Sequence, residues 1–203
     1  MFGRRFRFST VLNSATSNAG PFIRNFIYWP LIAITWLPSL ILFKRHVGEI
    51  TQITGESMYP NFNTNFNKNL KKDICWTKKW RAIDNLDRGM VVTVRNPLNP
   101  ETLQIKRIVA LEGDTVITRP PCPIAEIQVP LNHVWVEGDN KNALKTLDSN
   151  TYGPIPINLI QGKVTHILFP FERIGRVRWN EYSSDSRIIQ GKREHAPGWF
   201  EDA

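Results

Sequence analysis

The sequence predicts a mainly β protein, an antiparallel barrel or sandwich preceded by one N-terminal transmembrane helix. Two observations predict the β body. From Glu49 onward, short runs of β-branched and aromatic residues are punctuated by Gly, Pro and Asn, and helical periodicity is nearly absent. A third observation predicts the helix: residues 26–43 carry no charge, and at about 1.5 Å per residue such a run spans roughly 27 Å, close to a hydrocarbon core.

The elements follow in chain order. Residues 1–25 hold Arg4, Arg5, Arg7 and Arg24 among Ser9, Thr10, Ser14, Thr16 and Ser17, and the first acidic residue is Glu49. An acid-free, arginine-bearing, serine-rich start is the pattern of a mitochondrial targeting or matrix-side segment, because positive charge responds to anionic surfaces and to membrane potential. Within 26–43, Pro30 and Pro38 would break a soluble helix but are accommodated in a membrane span. Tyr28, Trp29 and Trp36 add interfacial character, and Lys44, Arg45 and His46 end the run as a charged flank.

The soluble part, residues 48–181, is long enough for one hydrophobic core and hardly for two. Strands are expected over 91–95, 103–109, 115–118, 133–137 and 163–169, with Asn96, Pro97, Asn99 and Pro100 turning the chain between the first two. Residues 61–81 read as a basic aromatic insertion, with Lys68, Lys71, Lys72, Lys78, Lys79 and Arg81 interleaved with Phe62, Phe66, Trp76 and Trp80. That composition suits a solvated surface or contact with anionic lipid, and no nucleic-acid partner is expected. Residues 182–203 read as a polar, loosely ordered tail.

Composition excludes several classes. With 41% apolar and 22% charged residues the chain is neither disordered nor polytopic, and its net charge of +8 favours anionic partners. Two distant cysteines, Cys75 and Cys122, form no CxxC pair, although a single bridge between them stays open. The histidines are scattered, so no metal is expected.

Three local patterns carry chemistry. Gly55, Glu56, Ser57, Met58, Tyr59 and Pro60 place a serine at a bend between a glycine and a Met-x-Pro turn. On the expected strand 103–109, Lys106 shares a face with Ile108 and Ala110, so its ammonium would emerge among apolar groups. Such desolvation is what a lysine needs to act as a base near neutral pH, since its ordinary value of about 10.4 must fall by roughly three units. The third pattern runs through Trp135, Glu137, Gly138, Asp139 and Asn140, then Thr146, Asp148, Ser149 and Asn150. Such a polar cluster suits a shell that orients a base and ties loops together.

In this order and spacing the three patterns resemble the signal peptidase family, whose members pair a serine nucleophile with a lysine base. The resemblance covers roughly residues 48–173. The run from Trp135 to Asp139, the group Asp148, Ser149 and Asn150, and Thr165, His166, Ile167 and Leu168 with Pro170 and Glu172 are most similar to the second-subunit type of the mitochondrial inner membrane branch. The resemblance implies a signal-peptidase-like β domain, with Ser57 as nucleophile, Lys106 as base and Met58 beside the cleft. It also implies Thr146 as the hydroxyl that bonds the lysine and Asp148 as the acid that holds the site together. Gly55 falls where bacterial relatives often carry an oxyanion-stabilising hydroxyl, Asn150 where they carry arginine and Asn61 where threonine is common.

The implied activity is cleavage of sorting signals from precursors delivered to the intermembrane space, by serine–lysine chemistry that needs no cofactor. The implied context is a single-pass protein in contact with inner membrane lipids and forming a heterodimer with a sister catalytic subunit 1. A noncatalytic stabilising subunit and a bacterial-type signal peptidase stay open as alternatives.

Overall fold

The computed structural model describes residues 21–64, 72–179 and 187–191, and the basic leader expected over 1–20 lies outside them. Two compact units separate, residues 1–44 and 45–203. Helix α1, Pro21–His46, with Pro30 and Pro38 inside it, makes up the described part of the first unit and ends two residues into the second. Trp29, Ile34, Trp36, Leu37, Leu40, Ile41, Leu42 and Phe43 are all about half exposed or more. Among the described residues no helix is long and apolar enough to cross a membrane. The side chains of 26–28, 31 and 33 within the apolar run lie outside that description.

The second unit is mainly antiparallel β. Its strands are β1 (Gly48–Gln52), β2 (Ile74–Lys78), β3 (Val91–Arg95), β4 (Leu103–Ala110), β5 (Thr115–Ile117), β6 (Glu126–Gln128), β7 (His133–Glu137), β8 (Ile155–Pro156), β9 (Ile160–Phe169), β10 (Gly175–Arg176) and β11 (Arg187–Ile189). One sheet runs β1-β2-β9-β3-β4-β7-β8 with β10 beside β9, and a smaller one runs β11-β5-β6. The ends of the large sheet, β1 and β8, do not pair with each other among the described residues, so it curls as a half-barrel and stays open.

The strands form where β-branched residues can bury one or both faces. In β3, Val91, Val92 and Val94 are all fully buried: Val92 and Val94 join a core with Met90, Ile108, Val134 and Val136, while Val91 packs with Ile53, Met58, Cys75 and Val164. The β3–β4 turn is built as its asparagines require: Asn96 Oδ1 accepts from Leu98 N and Asn99 Oδ1 from Glu101 N. A register shift between Ile108 and Ala110 separates two residues expected on one face. Ile108 enters the first core, whereas Ala110 packs with Val109, Val116, Val129 and Trp135.

The sequence reading differs from the fold in two places. The second half of the supposed insertion 61–81 is β2, set between β1 and β9, with Cys75 and Thr77 fully buried; residues 65–71 lie outside the described ones. Trp76 and Lys78 within it, and the lysines on either side, masked a period-two strand signal. Within the supposed tail, β11 pairs with β5 through Arg187↔Ile117, Ile188↔Val116 and Ile189↔Thr115. Cys75 and Cys122 are both free, and burial, reinforced by the charge of Asp73, pushes the Cys75 thiol up to about 12.

A buried ion pair braces the end of β7. Arg107 donates Nε to Asp139 Oδ1 at 2.8 Å and Nη2 to Oδ2 at 2.6 Å, and Asn61 Nδ2 donates to Oδ2 at 2.9 Å. Both charged side chains are almost wholly buried. We predict that Arg107→Leu lowers stability by about 3–5 kcal/mol because it strands a buried carboxylate, while Arg107→Leu with Asp139→Leu loses far less. Equal losses in urea unfolding of the two variants would contradict this account of the pair.

Candidate active site

Three segments converge on one cleft. Ser57 lies in the turn after β1, where Tyr59 N donates to Glu56 O at 3.0 Å and Phe62 N to Met58 O at 2.8 Å. Met58 is fully buried beneath it, anchoring the turn in the second core. Asn63, in a left-handed conformation, donates Nδ2 to Ile53 O at 2.8 Å and to Gly55 O at 3.0 Å, fixing the approach to the serine. Lys106 comes from β4, opposite Val92 in the ladder and only 2% exposed. Thr146 and Asp148 come from the loop after β7; Asp148 caps the short helix α2, Ser149–Tyr152, by accepting from Asn150 N at 3.1 Å.

Gly55, Ser57 and Lys106 line a cleft of about 300 Å³ with Ile53, Ile105 and Leu147. Gln104 also lines it, and its Oε1 is buried without a partner among the described residues. An ion pair between Lys145 and Glu56 joins the residues immediately before Thr146 and Ser57.

A directed relay leads away from the lysine. Lys106 Nζ donates to Thr146 Oγ1 at 3.2 Å, and the Thr146 hydroxyl donates to Asp148 Oδ2 at 2.9 Å. Asp148 also accepts from Gly138 N at 3.2 Å and from Asn150 Nδ2 at 3.2 Å. Burial lowers Lys106 from 10.5 to about 8, against the opposing charges of Asp148 and Asp139. A substantial neutral fraction therefore exists in mildly alkaline solution.

All the site residues expected from the sequence lie in this region, although they differ in what they touch. Gly55, Ser57 and Lys106 line the cleft, and Thr146 and Asp148 stand behind the lysine. Asn150 does not take an arginine's part. Its Nδ2 bridges Asp148 Oδ1 and Glu137 Oε1, and its Oδ1 accepts from Arg119 N. The buried Glu137 carboxylate is paired with the Arg119 guanidinium and accepts from Trp135 Nε1 at 2.8 Å. Nothing in the spacing of Arg119 and Glu137 signals that pairing.

Asn61, in the threonine position, serves Asp139. Gly138 is required by close approach: a Cβ there would lie 2.3 Å from Thr146 Oγ1 and 2.5 Å from Ser57 O.

A hydroxyl and a desolvated amine in one cleft, with the amine oriented through one of its protons, can run nucleophilic acyl transfer without a metal. The comparisons with known proteins point the same way. The family model for signal peptidase, peptidase S26, matches residues 23–121. Mitochondrial inner membrane protease subunit 2 of Schizosaccharomyces pombe is 40% identical over 181 residues, covering 86% of this chain and 98% of the relative. Subunit 2 of Saccharomyces cerevisiae is 37% identical, covering 76% of this chain and 84% of the relative. Subunit 1 of Mus musculus is 33% identical, covering 66% and 77%. The chain belongs to the signal peptidase family of serine peptidases, and its similarity extends to both subunit types of the mitochondrial protease.

Thr146 offers a direct probe of the relay. With Lys106 as the base, which works only when neutral, kcat/KM should rise with pH through about 8 and level off above it. Thr146→Val removes the acceptor that favours the protonated lysine. We therefore predict an acid limb moved to lower pH, together with a loss of about 10²-fold on the plateau as the amine loses its orientation. A limb that stays in place or moves upward in a pH–rate series would contradict the relay.

Proposed function

We propose that this protein is a single-pass, membrane-bound serine endopeptidase of the mitochondrial inner membrane that removes sorting signals from precursors delivered to the intermembrane space. Ser57 is the nucleophile and Lys106 the general base. The observation that carries this reading is Lys106 itself, buried at the cleft that Ser57 lines, lowered to about 8 and held through Thr146.

Neutral Lys106 takes the Ser57 Oγ proton as Oγ attacks the scissile carbonyl, and the Ser57 N–H donates to the developing oxyanion. Collapse of the tetrahedral adduct breaks the C–N bond, and the lysine ammonium returns the proton to the departing amine. Lys106 then deprotonates a water that hydrolyses the ester and frees Ser57. The resemblance to the signal peptidase family implies that small residues precede the cut.

The apolar 26–43 segment anchors the chain, and the similarity to both subunit types supports a heterodimer with a sister subunit 1. The test is cleavage of a membrane-sorted precursor by detergent-solubilised full-length protein, with and without that subunit. Defined cleavage lost in Ser57→Ala supports the reading, whereas the same products from both proteins would sink it.

A further inference from the structure

The oxyanion donor needs an orientation, and the residue that supplies it lies outside the serine and lysine patterns. A peptide unit is planar and trans, so the carbonyl of Glu56 and the N–H of Ser57 point in opposite directions. Whatever holds Glu56 O therefore aims the Ser57 N–H.

Two donors hold it. One is Tyr59 N at 3.0 Å, from within the turn. The other is Asn140 Nδ2 at 2.9 Å, from a residue 84 positions away. Asn140 grips the next unit as well, its own N–H donating to Ser57 O at 3.0 Å. The amide cannot be reversed without loss, because Asn140 Oδ1 accepts from Asn142 N at 3.0 Å.

The other face of the turn is open. Among the described residues no group accepts from the Ser57 N–H. A methyl placed on Gly55 would lie 3.9 Å from both Ser57 N and Ser57 Oγ, so amide and hydroxyl present themselves on one side of that glycine, in the cleft that both residues line. Gly55 has no side chain and so brings no second side-chain donor to the oxyanion. The direction of a single N–H thus decides how well the oxyanion is met.

We propose that Asn140 is the positioning residue of the oxyanion site: it clamps the carbonyls of Glu56 and Ser57 so that the Ser57 N–H faces the scissile carbonyl. The clamp also registers the nucleophile turn against the base. Asn140 follows Gly138 and Asp139, and Gly138 N bonds the same Asp148 that receives the Thr146 hydroxyl. This inference rests on the Ser57 and Lys106 reading above.

Asn140→Leu keeps the approximate volume and the backbone bond to Ser57 O but removes the side-chain donor. Its kcat should fall roughly 10- to 100-fold, less than the 10²–10³ typical of losing a whole oxyanion donor, because Tyr59 N still holds Glu56 O. The decisive readout is the ratio of affinities for a peptide aldehyde ending in alanine and for the matching peptide amide. The aldehyde forms a tetrahedral adduct whose oxygen needs the donor, and the amide does not.

The clamp predicts that this ratio falls by the same factor as kcat, while amide affinity, KM and the acid limb of the pH profile stay in place. Asn140→Asp, which keeps the shape and the acceptor for Asn142 but loses the donor, should lower the ratio at least as far; being a ratio, it holds even if part of the variant is unfolded. An unchanged ratio in both variants, or aldehyde and amide affinities that fall together, overturns the proposal. Ser57→Ala separates the two levels. It must erase the aldehyde preference, and if it does not, the nucleophile assignment fails rather than the clamp alone.

Discussion

Lys106→Met is expected to abolish precursor cleavage and at the same time raise the melting temperature of the full-length protein in detergent. Both effects come from the same burial. Lys106 is 2% exposed and its ammonium is lowered from 10.5 to about 8, which at pH 7 costs the folded state about 3 kcal/mol relative to a solvated lysine. The sign follows from proton counting. Between about 8 and the ordinary lysine value the unfolded chain binds more protons than the folded one, so stability rises with pH across that window. Below about 8 both states are protonated and the whole cost is present.

Methionine has nearly the same length and no charge. It removes that cost and forfeits the charge-assisted bond to Thr146, which at 3.2 Å is a loss of about 1.5 kcal/mol and leaves roughly 1.5 kcal/mol of net gain. For a chain of this size that amounts to about 3–6 °C. A variant that loses activity by unfolding would show a lower melting temperature instead. Retained turnover would remove Lys106 from the mechanism.

Gly138→Ala is expected to cost activity at least about 10²-fold, although it adds only one methyl group. The added carbon would lie 2.3 Å from Thr146 Oγ1, 3.0 Å from Thr146 Cβ and 2.5 Å from Ser57 O. Two of these atoms belong to Thr146 and the third to the backbone of Ser57, the proposed nucleophile, so either the threonine or the serine turn must move. Displacement by about 1 Å at a reacting group is worth two orders of magnitude, and the overpacking costs a further 1–3 kcal/mol of stability. Steady-state kinetics beside thermal unfolding checks both. Activity within a few-fold of wild type would mean that the turn and the relay are not held as tightly as these contacts imply.

Much of the fold was legible where strands bury β-branched residues on both faces. Val91–Arg95 and His133–Glu137 have the limits that the sequence predicts. β9 starts at Ile160, three residues before the expected 163, because Gly162 reads as a break. In the fold that glycine admits Thr77, whose Cγ2 would lie 2.5 Å from a Cβ there. β2 was hidden for a different reason: two of its three outward residues, Trp76 and Lys78, are aromatic or basic, and composition outweighed alternation in a five-residue strand.

The site divides along the same line. Ser57, Lys106, Thr146 and Asp148 stand in local patterns with recognisable neighbours. The Arg107–Asp139 pair, the Arg119–Glu137 pair and the grip of Asn140 on Glu56 depend on the register between strands and loops distant in sequence, including the shift between Ile108 and Ala110. No spacing within the chain encodes them.

The central claim is that Ser57 carries the acyl group, and rapid acid quenching during turnover of a membrane-sorted precursor, followed by peptide mapping, tests it most directly. The account predicts the precursor's N-terminal fragment in ester linkage on the peptide containing Ser57, absent from Ser57→Ala and from Lys106→Met. An acyl group on any other residue, or the same adduct in the Ser57→Ala protein, would contradict it.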